Sequence, residues 1–199
     1  AELDAGKEFA RYKDVDGDGI AWRTLPGTHP TRGSYFTRGT TRNPHAVYSE
    51  RGEDYVYNMQ RLLKKLETAA RITPQPVVQT SAQPTRLGVL YFGSTSAAMA
   101  EALDALAAQG IHLDAMRVCA FPFAESVRAF IDAHDPVYVV EQNRDAQMRT
   151  MLMTELDANP SRLQRVLHYD GTPITARFII DAIARHAHQT AAEAPPEAA

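Results

Sequence analysis

From Arg86 onward, short apolar runs alternate with stretches of helical spacing. Leu87–Phe92, Ala115–Phe121, Pro136–Glu141 and Arg165–Tyr169 read as strands. The run PVYVVE is apolar and β-branched, as a strand covered on both faces needs to be. Between the strands, Thr95–Ala108, Glu125–Ala133 and Asp145–Leu156 read as helices. A last helix, Ile174–His186, opens after the cap-and-proline pair Thr172-Pro173. Gly110 closes the first helix, and Val127, Phe130 and Ile131 give the second one apolar side. This alternation predicts an α/β fold: a parallel sheet with right-handed crossovers and helices on both faces.

Upstream the pattern differs. Residues 51–72 predict a helix in which Tyr55, Met59, Leu62, Leu63 and Leu66 form one apolar stripe. Residues 73–85 carry Pro74, Pro76 and Pro84 among polar spacers and read as an extended linker. Residues 1–50 are rich in Gly, Pro, Thr and Arg and follow neither period. A loop region that long is expected to be functional or packed on a larger body. The Ala-, Glu- and Pro-rich end reads as a disordered tail. The expected division is therefore 1–72, the linker 73–85, a domain over 86–186 and the tail 187–199. The opening AELDAGKEFARY reads as the interior of a longer chain, so a fragment is expected.

Composition narrows the function. Of 199 residues 44% are hydrophobic, enough for a core, and the net charge of -3 lacks the basic excess of a nucleic-acid binder. Cys119 is the only cysteine, which excludes an intrachain disulfide, a cysteine zinc site and a cysteine-ligated iron–sulfur cluster held by this chain's own residues. A reducing, cytoplasmic setting fits that usage. The sequence has no run suited to a membrane helix and no signal-peptide pattern, so neither membrane nor nucleic acid is expected as a partner.

Several stretches carry candidate chemistry. Asp14, Asp16 and Asp18 alternate with other residues as a calcium loop begins, but the twelfth position, where a bidentate Glu belongs, is Leu25. The same residues suit an acidic turn whose carboxylates accept nearby backbone N–H groups, and no metal is assigned. The loop from Arg23 to Arg38 gathers Arg23, Arg32 and Arg38 with Thr28, His29, Thr31 and Thr37. Arginine forks grip carboxylates, so an acidic substrate suits it, while a solvated basic loop paired with the chain's own acids explains it at least as well. Gly93-Ser94-Thr95-Ser96 lies between strand and helix, where N-capping by Ser94 or Thr95 is the simpler role than anion binding. Past the third strand, Asn143 or Asp145 can cap the next helix, and Glu141, Asn143 and Gln147 are expected at a subunit interface. His112, His134 and His168 stand at element edges, where surface or capping roles are expected. Hydrolase, zincin and dinucleotide fingerprints are missing, and no catalytic residue is assigned.

The same stretches carry a family resemblance. YKDVDGDGIAWRTLPGTHPTRGSYFTRGT resembles the late part of the pyrimidine-type thiamine-diphosphate domain in alpha subunits of 2-oxoacid:ferredoxin oxidoreductases. NMQRLLKKLETA resembles the helix that leaves that domain. LGVLYFGSTSAAMAEAL, VCAFPF and VYVVEQNRDAQMRTML, in that order, resemble the transketolase C-terminal-like domain that follows. The likeness spans roughly residues 8–185, and RTLPGTHPT and FTRGT are closer to the 2-oxoglutarate branch than to the pyruvate branch.

The resemblance implies oxidative decarboxylation of 2-oxoglutarate with coenzyme A, giving succinyl-CoA, carbon dioxide and reduced ferredoxin. It implies a beta subunit that holds the diphosphate, magnesium and an iron–sulfur cluster, with the alpha subunit completing the thiamine diphosphate and substrate pockets. Against that pattern, this stretch of chain is expected to lack the gamma-type domain and the earlier half of the pyrimidine domain with its Tyr-Pro-Ile-Thr-Pro type motif. Thr172-Pro173-Ile174-Thr175 is a local echo of that motif in the other domain. Alone, the chain is therefore expected to bind neither thiamine diphosphate nor a cluster and to be inactive. The resemblance makes Arg23, Thr28, His29 and Arg38 the expected substrate-binding residues, with Arg32 facing solvent. The competing readings are a non-catalytic subunit-assembly module, a pyruvate or branched-chain oxoacid relative, a free-standing small-molecule-binding domain, and a transketolase or dehydrogenase-complex subunit.

Overall fold

A computed structural model of the chain describes residues 3–7 and 9–193. Packing divides the chain into two compact units, Ala1–Ile72 and Thr73–Ala199.

In the first unit a long loop is laid along one helix. Strands β1 (Thr41–Arg42) and β2 (Tyr48–Ser49) make a short antiparallel hairpin, and α1 spans Gly52–Ile72. Acids Glu53 and Asp54 open α1 and Arg71 closes it, the polarity that the helix dipole favours. The ties between loop and helix are polar. The Tyr57 hydroxyl accepts the Asp14 N–H at 2.9 Å, Arg61 donates to the Gly19 carbonyl at 2.9 Å, and the Thr68 hydroxyl donates to the Asp18 carbonyl at 2.7 Å. Asn58 Nδ2 reaches Thr41 Oγ1 and the Arg42 carbonyl, which fixes β1 on α1.

Apolar burial in this unit is scant. Among the described residues, Ala46 is its only buried apolar side chain. The stripe expected along α1 is helical but uncovered: Tyr55, Met59, Leu62, Leu63 and Leu66 are each at least 39% exposed. A unit of this size with so little apolar burial has little to set against chain entropy. Its apolar face is of the kind that another surface covers.

The second unit is α/β. Its elements are β3 (Val77–Gln79), β4 (Gly88–Phe92), α2 (Ser96–Ala108), β5 (Asp114–Val118), α3 (Glu125–Ala133), β6 (Val137–Glu141), α4 (Gln147–Leu156), β7 (Leu163–Leu167) and α5 (Ala176–Glu193). The sheet order is β3-β5-β4-β6-β7; β4, β5, β6 and β7 are parallel and β3 is antiparallel on the edge. Period-two alternation sends side chains to both faces. Val89, Ala115, Tyr138 and Val140 pack with Met99, Leu106, Ile179 and Ile183 of α2 and α5. Leu90, Met116, Val137 and Val139 pack with Val127, Phe130, Ile131 and Leu152 of α3 and α4. Each fully buried aliphatic here contributes roughly 1.5–3 kcal/mol relative to exposure.

Details depart from the sequence expectation. The stretch read as a linker contains β3, whose three residues are all exposed and which pairs with β5 through backbone alone. The fourth parallel strand starts two residues earlier than read. α5 continues to Glu193, so residues 187–193, expected in the tail, are helical, as alanine-rich sequence permits; 194–199 lie outside the described residues. Ser94 and Thr95 do not cap α2 by side chain; Gly93–Thr95 form a 3-10 turn that leads into it. Two edge histidines are buried rather than on the surface. His134 faces the Phe130 carbonyl at 2.7 Å and Asp114 Oδ2 at 3.0 Å, and His168 packs edge-on against Phe178.

Candidate functional site: a basic pocket in the first unit

The sharp turn at Asp14–Gly19 positions the site. Asp14 Oδ1 accepts the Gly17 N–H, Asp18 Oδ1 accepts the Ile20 N–H, and Asp16 Oδ2 accepts the Trp22 indole N–H. All three carboxylates are thus engaged in shaping the turn. Among the described residues no group of three His, Cys, Asp or Glu side chains is placed to hold a metal. The turn lays residues 20–25 beside α1.

There a pocket of about 400 Å³ opens, into which Arg11, Arg23, Arg61 and Lys65 bring positive charge. Tyr12, Tyr35, Thr24 and Leu25 are among its other walls, and no carboxylate lines it. Arg11 holds the pocket's frame: it donates to Thr24 Oγ1 at 3.0 Å and to the Arg32 carbonyl at 2.9 Å, and it lies over the Tyr35 ring at 4.5 Å. Thr24 in turn donates to the Gly33 carbonyl at 2.8 Å, which closes the loop. Arg42 donates to the Tyr12 hydroxyl at 3.2 Å. Burial pulls the Tyr12 phenol upward, but hydrogen bonds from Tyr35 and Arg42 and the charges of Arg42 and Arg61 outweigh it and bring Tyr12 below its ordinary range. The hydrogen bond to Tyr12, then burial, pushes Tyr35 the other way. Four cationic side chains and no carboxylate give the pocket a lining whose charge suits an anion.

The expected substrate residues do not converge. Arg23 lines this pocket. Arg38 lines a neighbouring cavity of about 340 Å³ that shares Arg11 and Tyr35 as walls. Thr28 and His29 line neither and shape the loop instead. Thr28 Oγ1 accepts the Leu25 N–H at 3.1 Å, and His29 Nδ1 accepts the N–H groups of Thr31 and Arg32 at 3.2 and 3.0 Å. Arg32 donates to the Leu3 carbonyl at 3.2 Å. Arg11, Tyr12, Arg61 and Lys65 come from outside the loop and were not among the expected site residues. One signal does mark the helix pair: Arg61 and Lys65 are like charges one turn apart with no acid one turn away on either side.

The second unit holds its own cleft at the carboxyl ends of β4 and β6, where the strand order reverses and where open parallel sheets place ligands. It measures about 300 Å³, and its polar walls are Ser94, Thr95, Gln142, Asn143 and Gln147, without charge. Gln142 spans it, donating to Ser94 Oγ at 2.9 Å and Thr95 Oγ1 at 3.2 Å. Glu141, expected at an interface, is fully buried within this chain. Its carboxylate accepts from Asn143 Nδ2 at 2.8 Å, Met148 N at 2.7 Å and Arg149 N at 3.0 Å, so it caps α4. Asn143 Oδ1 accepts the Asp145 and Gln147 N–H groups.

No family model matches the sequence. Over most of its length the chain has the fold of a part of one solved oxidoreductase chain. The likeness is to 2-oxoglutarate:ferredoxin oxidoreductase from Magnetococcus marinus with 2-oxoglutarate, coenzyme A and succinyl-CoA bound, at a TM-score of 0.76 and 18% identity over 92% of this chain. The match covers 31% of that chain, so this chain spans about a third of its length. A split-gene transketolase, an inactive beta4 tetramer, is similar over 56% of this chain and 40% of its own at a TM-score of 0.47 and 17% identity. The alpha chain of a probable 2-oxoacid ferredoxin oxidoreductase from Thermoplasma acidophilum is similar over 57% of this chain and 97% of its own, at 0.39 and 20%. The α/β fold expected from the sequence is the one observed in the second unit, a mostly parallel sheet with helices on both faces. No helix among the described residues is long and apolar enough to cross a membrane.

Proposed function

We propose that this chain is a portion of the alpha subunit of a 2-oxoglutarate:ferredoxin oxidoreductase, a cytoplasmic enzyme that converts 2-oxoglutarate and coenzyme A to succinyl-CoA and carbon dioxide and passes the electrons to ferredoxin. The observation that carries the reading is the fold match over 92% of the chain, both units in order. In this reading residues 1–72 are the end of a pyrimidine-type thiamine-diphosphate domain, and 86–186 are a transketolase C-terminal-like domain. The uncovered α1 face supports it, since a slice of a larger body exposes what its neighbours cover. The basic pocket supports an acidic substrate.

Thiamine diphosphate, when bound, supplies the carbanion chemistry. In this reading magnesium and the iron–sulfur cluster are assigned to the beta subunit, since the single cysteine of this chain, Cys119, is too few to ligate a cluster. This chain's part is to bind and orient the oxoacid. Arg23, exposed in the chain, is the loop residue that reaches the pocket and is free to fork a carboxylate; Thr28 and His29 hold the loop in the shape that presents it, and Arg38 serves the adjoining cavity. Asn143 and Gln147 remain open to a partner subunit, whereas Glu141 serves from inside the domain.

The test uses the assembled enzyme. The chain should co-purify with a cluster-bearing beta subunit. Arg23→Ala should raise the KM for 2-oxoglutarate about tenfold or more with little change in that for coenzyme A. Arg23→Lys should recover only part of the loss, because a point charge does not reproduce the fork. If substitutions of Arg23, Thr28, His29 and Arg38 all leave 2-oxoglutarate kinetics within about twofold, the loop is scaffolding and the substrate assignment fails.

A further inference from the structure

We propose that α1 supplies the second anchor of this pocket: Arg61 and Lys65, together with Arg23, form a dicarboxylate site that selects acids bearing a distal carboxylate over those without one. The inference rests on the oxoacid reading above and adds the residues that would set its specificity.

Arg61 and Lys65 are one turn apart, so they share a face of α1. Alone, such a like-charged pair is unfavourable, and the neighbours one turn away, Tyr57, Asn58, Thr68 and Ala69, bring no acid to relieve it. Neither residue forms an ion pair among the described residues, and the side chain of Lys65, like that of Arg23, makes no hydrogen bond there. Arg61 spends one terminal nitrogen on the Gly19 carbonyl, but its Nε is buried without an acceptor, as is Nε of Arg11. Nε of Arg42, which does not line the pocket, is buried without an acceptor as well, so these atoms do not mark the site; the convergence of cations with no carboxylate in the lining carries the inference. Arg11 is otherwise held by Thr24 and the Arg32 carbonyl and acts as a positioning residue. The usable cations therefore come from two segments, Arg23 from the loop and Arg61 with Lys65 from the helix. A ligand charged at both ends needs anchors from two sides of its site. A cavity of about 400 Å³ lies in the size range of small-molecule sites.

The test is calorimetric binding of two non-reacting acids to the assembled complex: glutarate, with two carboxylates, and butyrate, with one. The wild-type complex should bind glutarate at least about tenfold more tightly, and Lys65→Met should remove most of that preference. Lys65 makes no bond that holds the unit together, so the thermal midpoint should stay within about 2 °C. A parallel kinetic arm measures the ratio of KM for 2-oxoglutarate to KM for 2-oxobutyrate, which should rise about tenfold in Lys65→Met. Equal wild-type affinity for the two acids overturns the proposal, as does a preference that survives the substitution. Much tighter binding of inorganic diphosphate than of glutarate also overturns it and makes the pocket a phosphate site. If glutarate binds in a Lys65-dependent way but no 2-oxoacid is turned over, the site stands and the functional reading falls. If 2-oxoglutarate is turned over and the Lys65→Met ratio is unchanged, the reverse holds.

Discussion

Gly19 lies so close to Lys65 that a Cβ on the glycine would stand 2.3 Å from the Lys65 backbone nitrogen. With φ at +79°, Gly19 is also in the region that L side chains avoid. The Asp-Gly turn is thus a packing device: it brings the chain onto α1 and delivers Arg23 to the pocket that Arg61 and Lys65 line. Gly17, two residues earlier, has φ +76° but nothing within 4 Å of its Cβ position.

This pair separates steric from conformational cost. Gly17→Ala should destabilise by about 1 kcal/mol, the strain of a left-handed backbone alone. Gly19→Ala should cost about 2–4 kcal/mol, because the clash adds to that strain. Trp22, the only tryptophan, sits in this loop, so its fluorescence during urea unfolding reports the unit directly. Equal losses in the two variants would show that the loop lifts off α1 at little cost.

Glu141 should behave as a buried cap. Glu141→Ala leaves the Met148 and Arg149 N–H groups without their acceptor at a site with no solvent exposure, and should cost about 2–5 kcal/mol. Glu141→Gln keeps one carbonyl oxygen and should lose less. Urea midpoints of the two variants check this; unchanged midpoints combined with weakened subunit association would restore the interface role expected from sequence.

Alkaline stability should trace to Tyr138. Burial pushes its phenol up to about 12, and its hydroxyl contacts His186 Nδ1 at 3.0 Å. In the unfolded chain the phenol ionises near the ordinary value of about 10. Its contribution is therefore fully present below pH 10 and is lost as pH rises through 12, because the unfolded state binds fewer protons in that window. The loss should reach about 2–3 kcal/mol. Unfolding of the wild type and Tyr138→Phe, compared at pH 9 and pH 11.5, measures it; the wild type should lose more across that interval, and parallel losses would contradict the assignment.

How much of this was legible depends on where side chains are buried. β4, β6 and the helices of the second unit announce themselves because both faces of the sheet are covered, so LGVLYF and PVYVVE must be apolar. β3 buries no side chain and is held by backbone pairing to β5, so Val77–Gln79 leaves no pattern beside Pro74 and Pro76. The end of α5 is hidden in the sequence because its alanines suit a low-complexity tail as well as a helix. On α1 the stripe gave the helix correctly, yet the chain leaves it uncovered, since periodicity reports a face and not its partner. At the pocket, Arg23 stood out in a loop crowded with arginine, whereas Arg11, Arg61 and Lys65 converge only through tertiary packing. His29 is expected at the substrate, but its Nδ1 is used within the loop as an acceptor for the Thr31 and Arg32 N–H groups.

The proposed function puts this chain to work inside an oxoacid:ferredoxin oxidoreductase. The most direct measurement is reduction of ferredoxin, or of a low-potential dye in its place, by the complex purified through this chain. Reduction should require both 2-oxoglutarate and coenzyme A, produce succinyl-CoA in step with the electrons, and weaken when Arg23 or Lys65 is replaced. A complex that reduces no acceptor with any 2-oxoacid while carrying thiamine diphosphate and its cluster would contradict it.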